Sequence, residues 1–214
     1  MTDLILALDV TEKEHALSIA RDCAPHLDAI KLGYSLILSC GLSIVKELRE
    51  TGLPLIADFK VADIPNTNKL IADQVFAAGF SSIICHGFPG KDSVQACVDS
   101  ARWHGGECYV VAEMSHPGAT EFFHGCTAEN IVKLAVACGA DGIVAPATRP
   151  GRVKILRSFA GTLKILSPGV GAQGGDADEI AKMVDGIIVG RAIYEAVDPK
   201  AAAAGFARIR SARN

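Results

Sequence analysis

The sequence predicts an α/β fold, a single (β/α)8 TIM barrel over residues 1–214. Three observations carry this. Short apolar runs of strand length alternate with helical patterns about eight times without interruption, the repeat expected of a barrel. The runs are continuous rather than alternating in polarity, as in parallel strands covered on both faces. The first strand passes into Asp9-Val10-Thr11-Glu12, with no glycine, whereas the rival doubly wound sheet carries a G-x-G-x-x-G there when it binds a dinucleotide. The length lies near the lower end for a barrel and leaves little room for a second domain.

The first strand is Leu4-Ile5-Leu6-Ala7-Leu8-Asp9. Thr11 is a candidate N-cap for the next helix, with Glu14 three residues on. Ala29-Ile30-Lys31-Leu32-Gly33 is the second strand, followed by a helix from Leu42 to Glu50 that Thr51-Gly52 closes. Pro54-Leu55-Ile56-Ala57 opens the third strand, which runs into Asp58-Phe59-Lys60-Val61-Ala62-Asp63. A Pro/Asn cluster then turns into a helix from Asn66 to Ala78, stopped by Gly79. Ser82–His86 is the fourth strand, Asp92–Arg102 a helix, Cys108–Met114 the fifth strand and Glu129–Cys138 a helix. Gly142–Ala145, Leu163–Leu166 and Gly186–Arg191 complete the strands, with helices at Pro150–Phe159, briefly after Asp176, and from Pro199 to Ala212.

The formal charge of -3 and pI of about 6.1 give no footprint of a nucleic-acid or anionic-membrane binder. No apolar stretch is long enough to span a bilayer. The N-terminus lacks the basic region and cleavage site of a signal peptide. Seven scattered cysteines with no C-x-x-C read as reduced thiols in a cytoplasmic protein.

In such barrels the active site lies at the C-terminal ends of the strands. Asp9, Lys31, Asp58 and Lys60 fall there, and Asp63 follows in the loop. In the first strand Ile5, Ala7 and Asp9 share the smaller face, which should point down the barrel axis and put Asp9 in the mouth. Asp58 and Lys60 share a side for the same reason. The five charges alternate in sign, which favours charged ammonium groups. Such a lysine is a poor free-base nucleophile and a good proton donor, so Schiff-base chemistry is disfavoured. The set suits a reaction that builds negative charge on substrate carbon and then protonates it. The loops after strands seven and eight, Gly169 to Gly175 and Gly190-Arg191, are where barrels hold phosphate. Glycine-turn amides and a forked arginine fit that task, and the long glycine loop has the make-up of a lid.

Blander readings stand beside these. Asp63 alone is equally an N-cap, and Asp9 alone a solubilising strand end. A glycine-rich loop alone is weak evidence. Lys31 among apolar neighbours is harder to dismiss, because lysine is rarely buried unpaired. His86 and His116 follow strands four and five and are candidates for the mouth; the other histidines read as surface residues. No H-x-x-H or H-E-x-x-H spacing marks a metal site.

Asp58-Phe59-Lys60-Val61-Ala62-Asp63-Ile64-Pro65-Asn66-Thr67 resembles the signature of the orotidine 5′-phosphate decarboxylase family. Ser115-His116-Pro117-Gly118, the run from Ser167 through Pro168, Val170 and Gln173 to Asp176, and Val189-Gly190-Arg191 match it in the same order. Asn66 and Asn68 read as variable flanks. The resemblance covers nearly the whole chain and is nearest the compact archaeal members. It implies conversion of orotidine 5′-phosphate to uridine 5′-phosphate and CO2, the last step of de novo pyrimidine synthesis, without metal or organic cofactor. It implies Lys60 as proton donor to C6 and Asp58 against the departing carboxylate. Asp63 and Thr67 would come from the partner subunit of a homodimer, with Asp63 completing the network with Lys31. Asp9 and Lys31 would hold the ribose hydroxyls, Ser115 the pyrimidine, and Gln173, Gly190 and Arg191 the phosphate; Pro168 and Val170 would join the substrate-binding set.

Two alternatives make different demands. The related 3-keto-L-gulonate-6-phosphate decarboxylase and hexulose-phosphate synthase group shares a D-x-K-x-x-D third strand but uses magnesium, held partly by a glutamate on strand two. Lys31 stands in that place here, and an ammonium would repel the metal. A non-catalytic nucleotide sensor has no need of a proton donor.

Overall fold

The computed structural model describes residues 1–171 and 173–211. Eight parallel strands close in sequence order: β1 (Asp3–Leu8), β2 (Ala29–Gly33), β3 (Leu55–Val61), β4 (Ser82–His86), β5 (Glu107–Val111), β6 (Gly142–Val144), β7 (Lys164–Pro168) and β8 (Gly186–Val189), with β8 pairing back onto β1. The helices are α1 (Lys13–Cys23), α2 (Tyr34–Cys40), α3 (Ile44–Leu48), α4 (Pro65–Ala78), α5 (Lys91–Trp103), α6 (Thr127–Cys138), α7 (Pro150–Ala160), α8 (Ala177–Ile180), α9 (Arg191–Tyr194) and α10 (Pro199–Ala207).

Residue size sorts the two faces of the strands. Leu4, Leu6 and Leu8 pack outward into the cluster that holds the helices. Ile5 and Ala7 point inward, where they join Ile56, Ile84, Tyr109, Val111, Val144, Leu166 and Ile188. The axis is thus filled with aliphatic side chains and Tyr109 up to the layer where β1 ends, and Asp9 continues the inward series.

The opposite end of the barrel is tied by a repeated device. Asp28, Asp141 and Asp185 each stand just before an even-numbered strand. Their carboxylates accept the backbone N–H of Leu4 at 2.8 Å, Cys108 at 2.8 Å and Ile165 at 2.9 Å, each on the preceding odd strand. Tyr109 donates to Glu107 at 2.6 Å, and Glu107 pairs with Lys164 at 2.6 Å.

Several local expectations change. The first helix takes Glu12 as N-cap with no side-chain cap bond, so Thr11 does not cap it. The stretch read as one helix from Leu42 to Glu50 is α3 followed by a 3-10 turn, Arg49–Thr51. α2 precedes it, starting at the uncapped Gly33 without a sequence signal. The Asp63 carboxylate accepts the N–H of Ile64 at 2.7 Å, and α4 begins at Pro65 with Ile64 as N-cap. Arg191 belongs to α9 rather than to the last strand. α10 ends at Ala207, and Ala212 lies outside the described residues. Gly79 closes α4 in the left-handed conformation, as its position predicts.

Candidate active site

β3 does not keep a regular register with β4. Ala57 pairs with Ile83 and Val61 with Cys85, so β3 spends four steps where β4 spends two. Lys60 lies inside this bulge with φ of 45°, in the left-handed region that bulky residues avoid. Such strain persists where surrounding structure fixes it and gathers at functional sites. Its ammonium reaches Asp58 Oδ1 at 2.8 Å. Asp58 and Lys60 do share a side, through a bulge rather than the plain pleat.

Lys31 rises from β2, its side chain 7% exposed. It donates to Asp58 Oδ2 at 2.6 Å and faces Asp9 Oδ1 at 3.9 Å. Gly33 makes room for this, since a Cβ there would sit 2.8 Å from Asp9 Oδ1. Asp58 therefore holds one ammonium on each oxygen. Burial alone would push its carboxyl up, but Lys31 and then Lys60 outweigh this and hold it below the usual carboxylate value.

These four residues line a cavity of about 280 Å³ at the C-terminal end of the barrel. Ser115, Pro168, Val170, Gln173, Gly190 and Arg191 line it as well, each from the loop or strand end the sequence indicated. Ala7, Ile84, Val111, Val144 and Ile188 form its apolar floor. Gly169, at φ of 100°, lets the loop after β7 turn close to its neighbours, because a Cβ there would meet Thr148 Cγ2 at 3.1 Å and Gln173 Oε1 at 3.2 Å. Ala172 of the same loop lies outside the described residues.

The alternation of acid and amine does not extend to Asp63 within one chain. Asp63 is exposed and borders a separate depression with Ala62, Ile64, Pro65, Pro89, Asp92 and Ser93. Thr67 lies half-buried in the first turn of α4. Asn68, taken from sequence as a variable flank, is fully buried and fixes this loop. Its side chain accepts the Asp63 N–H at 2.9 Å and donates to Ser93 Oγ at 2.7 Å, while Ser93 Oγ donates to the Asp63 carbonyl at 2.8 Å.

Three lining residues escaped sequence reasoning: Glu113, Met114 and Tyr194. Glu113 is 2% exposed, and its partners, Arg149 and Arg152, lie too far along the chain for any spacing to announce them. Of the two candidate histidines, His116 is exposed. His86 is half-buried against Phe88, with ring centroids 4.9 Å apart. Burial, and then the Lys60 ammonium, push its pKa down to about 4, so the ring is neutral at physiological pH.

An ammonium held at a cavity wall by a carboxylate that is itself neutralised on its other oxygen can stabilise and protonate a carbanion. The chain is similar to known proteins over nearly its whole length. Residues 2–206 match the model of the orotidine 5′-phosphate decarboxylase / HUMPS family. An orotidine 5′-phosphate decarboxylase of Methanosarcina mazei is 56% identical over 208 residues, covering 96% of this chain and 94% of that protein. One from Thermococcus kodakarensis is 51% identical over 203 residues, covering 94% and 92%. A crystal structure of orotidine 5′-monophosphate decarboxylase from Methanocaldococcus jannaschii, complexed with the inhibitor BMP, superposes with a TM-score of 0.94 at 44% identity, covering 98% of each chain. The chain belongs to the orotidine 5′-phosphate decarboxylase / HUMPS family.

Proposed function

We propose that the chain decarboxylates orotidine 5′-phosphate to uridine 5′-phosphate and CO2, the step that completes UMP in pyrimidine biosynthesis. The observation that carries this is the Lys31–Asp58–Lys60 chain of contacts at 2.6 and 2.8 Å on the wall of the cavity. Loss of CO2 from C6 leaves a carbanion with no adjacent carbonyl to delocalise it. The barrier to be lowered is correspondingly large, on the order of 20 kcal/mol of stabilisation. Lys60 is the proton donor, and its fixed charge lowers the energy of the developing anion before the proton moves. Asp58 stands against the departing carboxylate and holds both lysines in place. Asp9 and Lys31 bind the ribose hydroxyls and Ser115 the pyrimidine. Gln173, Gly190 and Arg191 bind the phosphate, and Pro168 and Val170 complete the wall. Phosphate contacts remote from C6 contribute by holding the closed site.

The reading includes a homodimer in which Asp63 and Thr67 complete the partner's site. Its support is the exposed position of Asp63 together with bare apolar side chains after the neighbouring strands. Leu38 is 81%, Ile64 65% and Phe88 62% exposed, after β2, β3 and β4 respectively. Large apolar side chains left this bare offer surface for a second chain to cover. The reading also includes a cytoplasmic setting, the compartment in which cysteines stay reduced. No helix among the described residues is long and apolar enough to cross a membrane.

The test is to mix purified protein with orotidine 5′-phosphate and follow the loss of its ultraviolet absorbance, with and without EDTA. Turnover that EDTA leaves unchanged is the expected result. Turnover of a hexulose or gulonate phosphate with strict magnesium dependence would move the chain to the other branch of the family. Tight nucleotide binding with no turnover would make it a sensor.

A further inference from the structure

The turn that carries Ser115 is held by partly buried charges outside the lysine–aspartate chain. Glu113 follows the end of β5, and its side chain is 3% exposed. Arg149 Nε lies 3.2 Å from one of its oxygens, and Arg152 Nε donates to the other at 2.9 Å. Arg152 reaches on with Nη1 to Glu129 on α6 at 2.8 Å. The Arg149 guanidinium also donates to the carbonyl of Met114, and Thr148 Oγ1 donates to that of Ser115 at 3.3 Å. Two carboxylates and two guanidinium groups thus form a neutral quartet. It ties the turn 113–115 to the start of α7 and to α6.

A buried ion pair is weak evidence for stability, because desolvation offsets much of the attraction. What such a quartet supplies is fixed geometry. Glu113 lines the cavity, yet both its oxygens are committed to cations, so it does not serve as a base. We propose that Glu113, with Arg152 behind it, is a positioning residue that sets Ser115 for the pyrimidine and so determines recognition of the base end of the ligand. This rests on the assignment of Ser115 to the pyrimidine made above.

The test compares two ligands that share the sugar phosphate and differ in the base. Uridine 5′-phosphate and ribose 5-phosphate are titrated calorimetrically into wild type and Glu113→Gln, and steady-state turnover is measured alongside. Glu113→Gln should weaken uridine 5′-phosphate by about ten-fold, the worth of one well-placed hydrogen bond, with ribose 5-phosphate changed by less than about two-fold. kcat/KM for orotidine 5′-phosphate should fall in step. Arg152→Lys keeps the charge but loses the fork between Glu113 and Glu129. It should show the same selectivity with a smaller effect, and it carries the test if Glu113→Gln does not fold. Equal weakening of both ligands would reduce the quartet to a brace of the barrel, and no change in either would overturn the proposal. Wild type that selects the nucleotide over the sugar phosphate without turning over orotidine 5′-phosphate would sink the enzymatic reading and leave this one standing.

Discussion

The two ends of the barrel hold their aspartates in different ways. At the end where strands begin, Asp28, Asp141 and Asp185 are tied to backbone amides of neighbouring strands. Each satisfies a peptide group at a place where the register of two strands is set. At the end where strands finish, Asp9, Lys31, Asp58 and Lys60 contact one another, and the cavity they line is open to a ligand. Polar groups whose partners are backbone build the fold. Polar groups whose partners are other charges, on a cavity wall, are free to change partners when a substrate arrives. Removing the first kind should cost stability and leave chemistry alone, and removing the second should cost chemistry above all.

The largest effect that this contrast predicts is at Lys60. Lys60→Ala should lower kcat by about a thousand-fold or more, since it removes both proton donor and fixed charge, while nucleotide binding persists. Asp63→Ala should fall to a similarly low rate. Mixing the two inactive chains after mild dissociation should restore about a quarter of wild-type activity, because random reassortment of a two-fold dimer leaves that share of sites with both native residues. A mixture as inactive as its components would count against the shared site. A Lys60→Ala enzyme at wild-type rate would remove the proton donor from the mechanism.

The intermediate effect lies at the other end. Asp185→Ala leaves the N–H of Ile165 without its carboxylate acceptor and takes a partner from Arg157. The expected loss is about 1–3 kcal/mol in urea unfolding, a fall of a few degrees in Tm for a chain of this size. kcat/KM should match wild type. A large drop in kcat/KM in a folded variant would break the division between the two ends.

Much of this was legible in the sequence because a closed parallel barrel buries both faces of each strand. The strands then read as bare apolar runs, and a charge at the end of one is conspicuous. Asp9, Lys31, Asp58 and Lys60 were visible for that reason, and Ile5 and Ala7 pointed inward because their face is the smaller. Glu113 was not visible. It follows an apolar strand just as Asp9 does, but its meaning depends on Arg149 and Arg152, whose nearness only the ordering of β5 beside β6 creates. Asn68 was missed similarly, since its partner Ser93 belongs to the next helix. α2 escaped because Gly33 offers no side-chain cap and Leu38 is left bare. The three aspartates were written in the sequence as Asp28-Ala29-Ile30, Asp141-Gly142-Ile143 and Asp185-Gly186-Ile187. Their shared role emerged only once the strands had neighbours.

The smallest effect concerns acid. Asp58 is held below its ordinary carboxylate value of 3.8 in the folded chain, by Lys31 and Lys60 against the opposing pull of burial. A carboxyl whose folded value is depressed stabilises the fold fully above the unfolded value, and that contribution disappears as pH falls through the folded value. The stability gap between wild type and Asp58→Asn should therefore be constant from neutral pH down to about 5 and narrow below about 4. Urea unfolding across that range reads it directly. Asp185→Ala supplies the control from the other end of the barrel, since its gap from wild type must reflect a different carboxylate with different partners. If the Asp58 gap stays flat through pH 3, the carboxylate does not draw its stability from the two ammonium groups. The mouth would then be held by packing alone, and the contrast between the two ends would rest on geometry without the electrostatics.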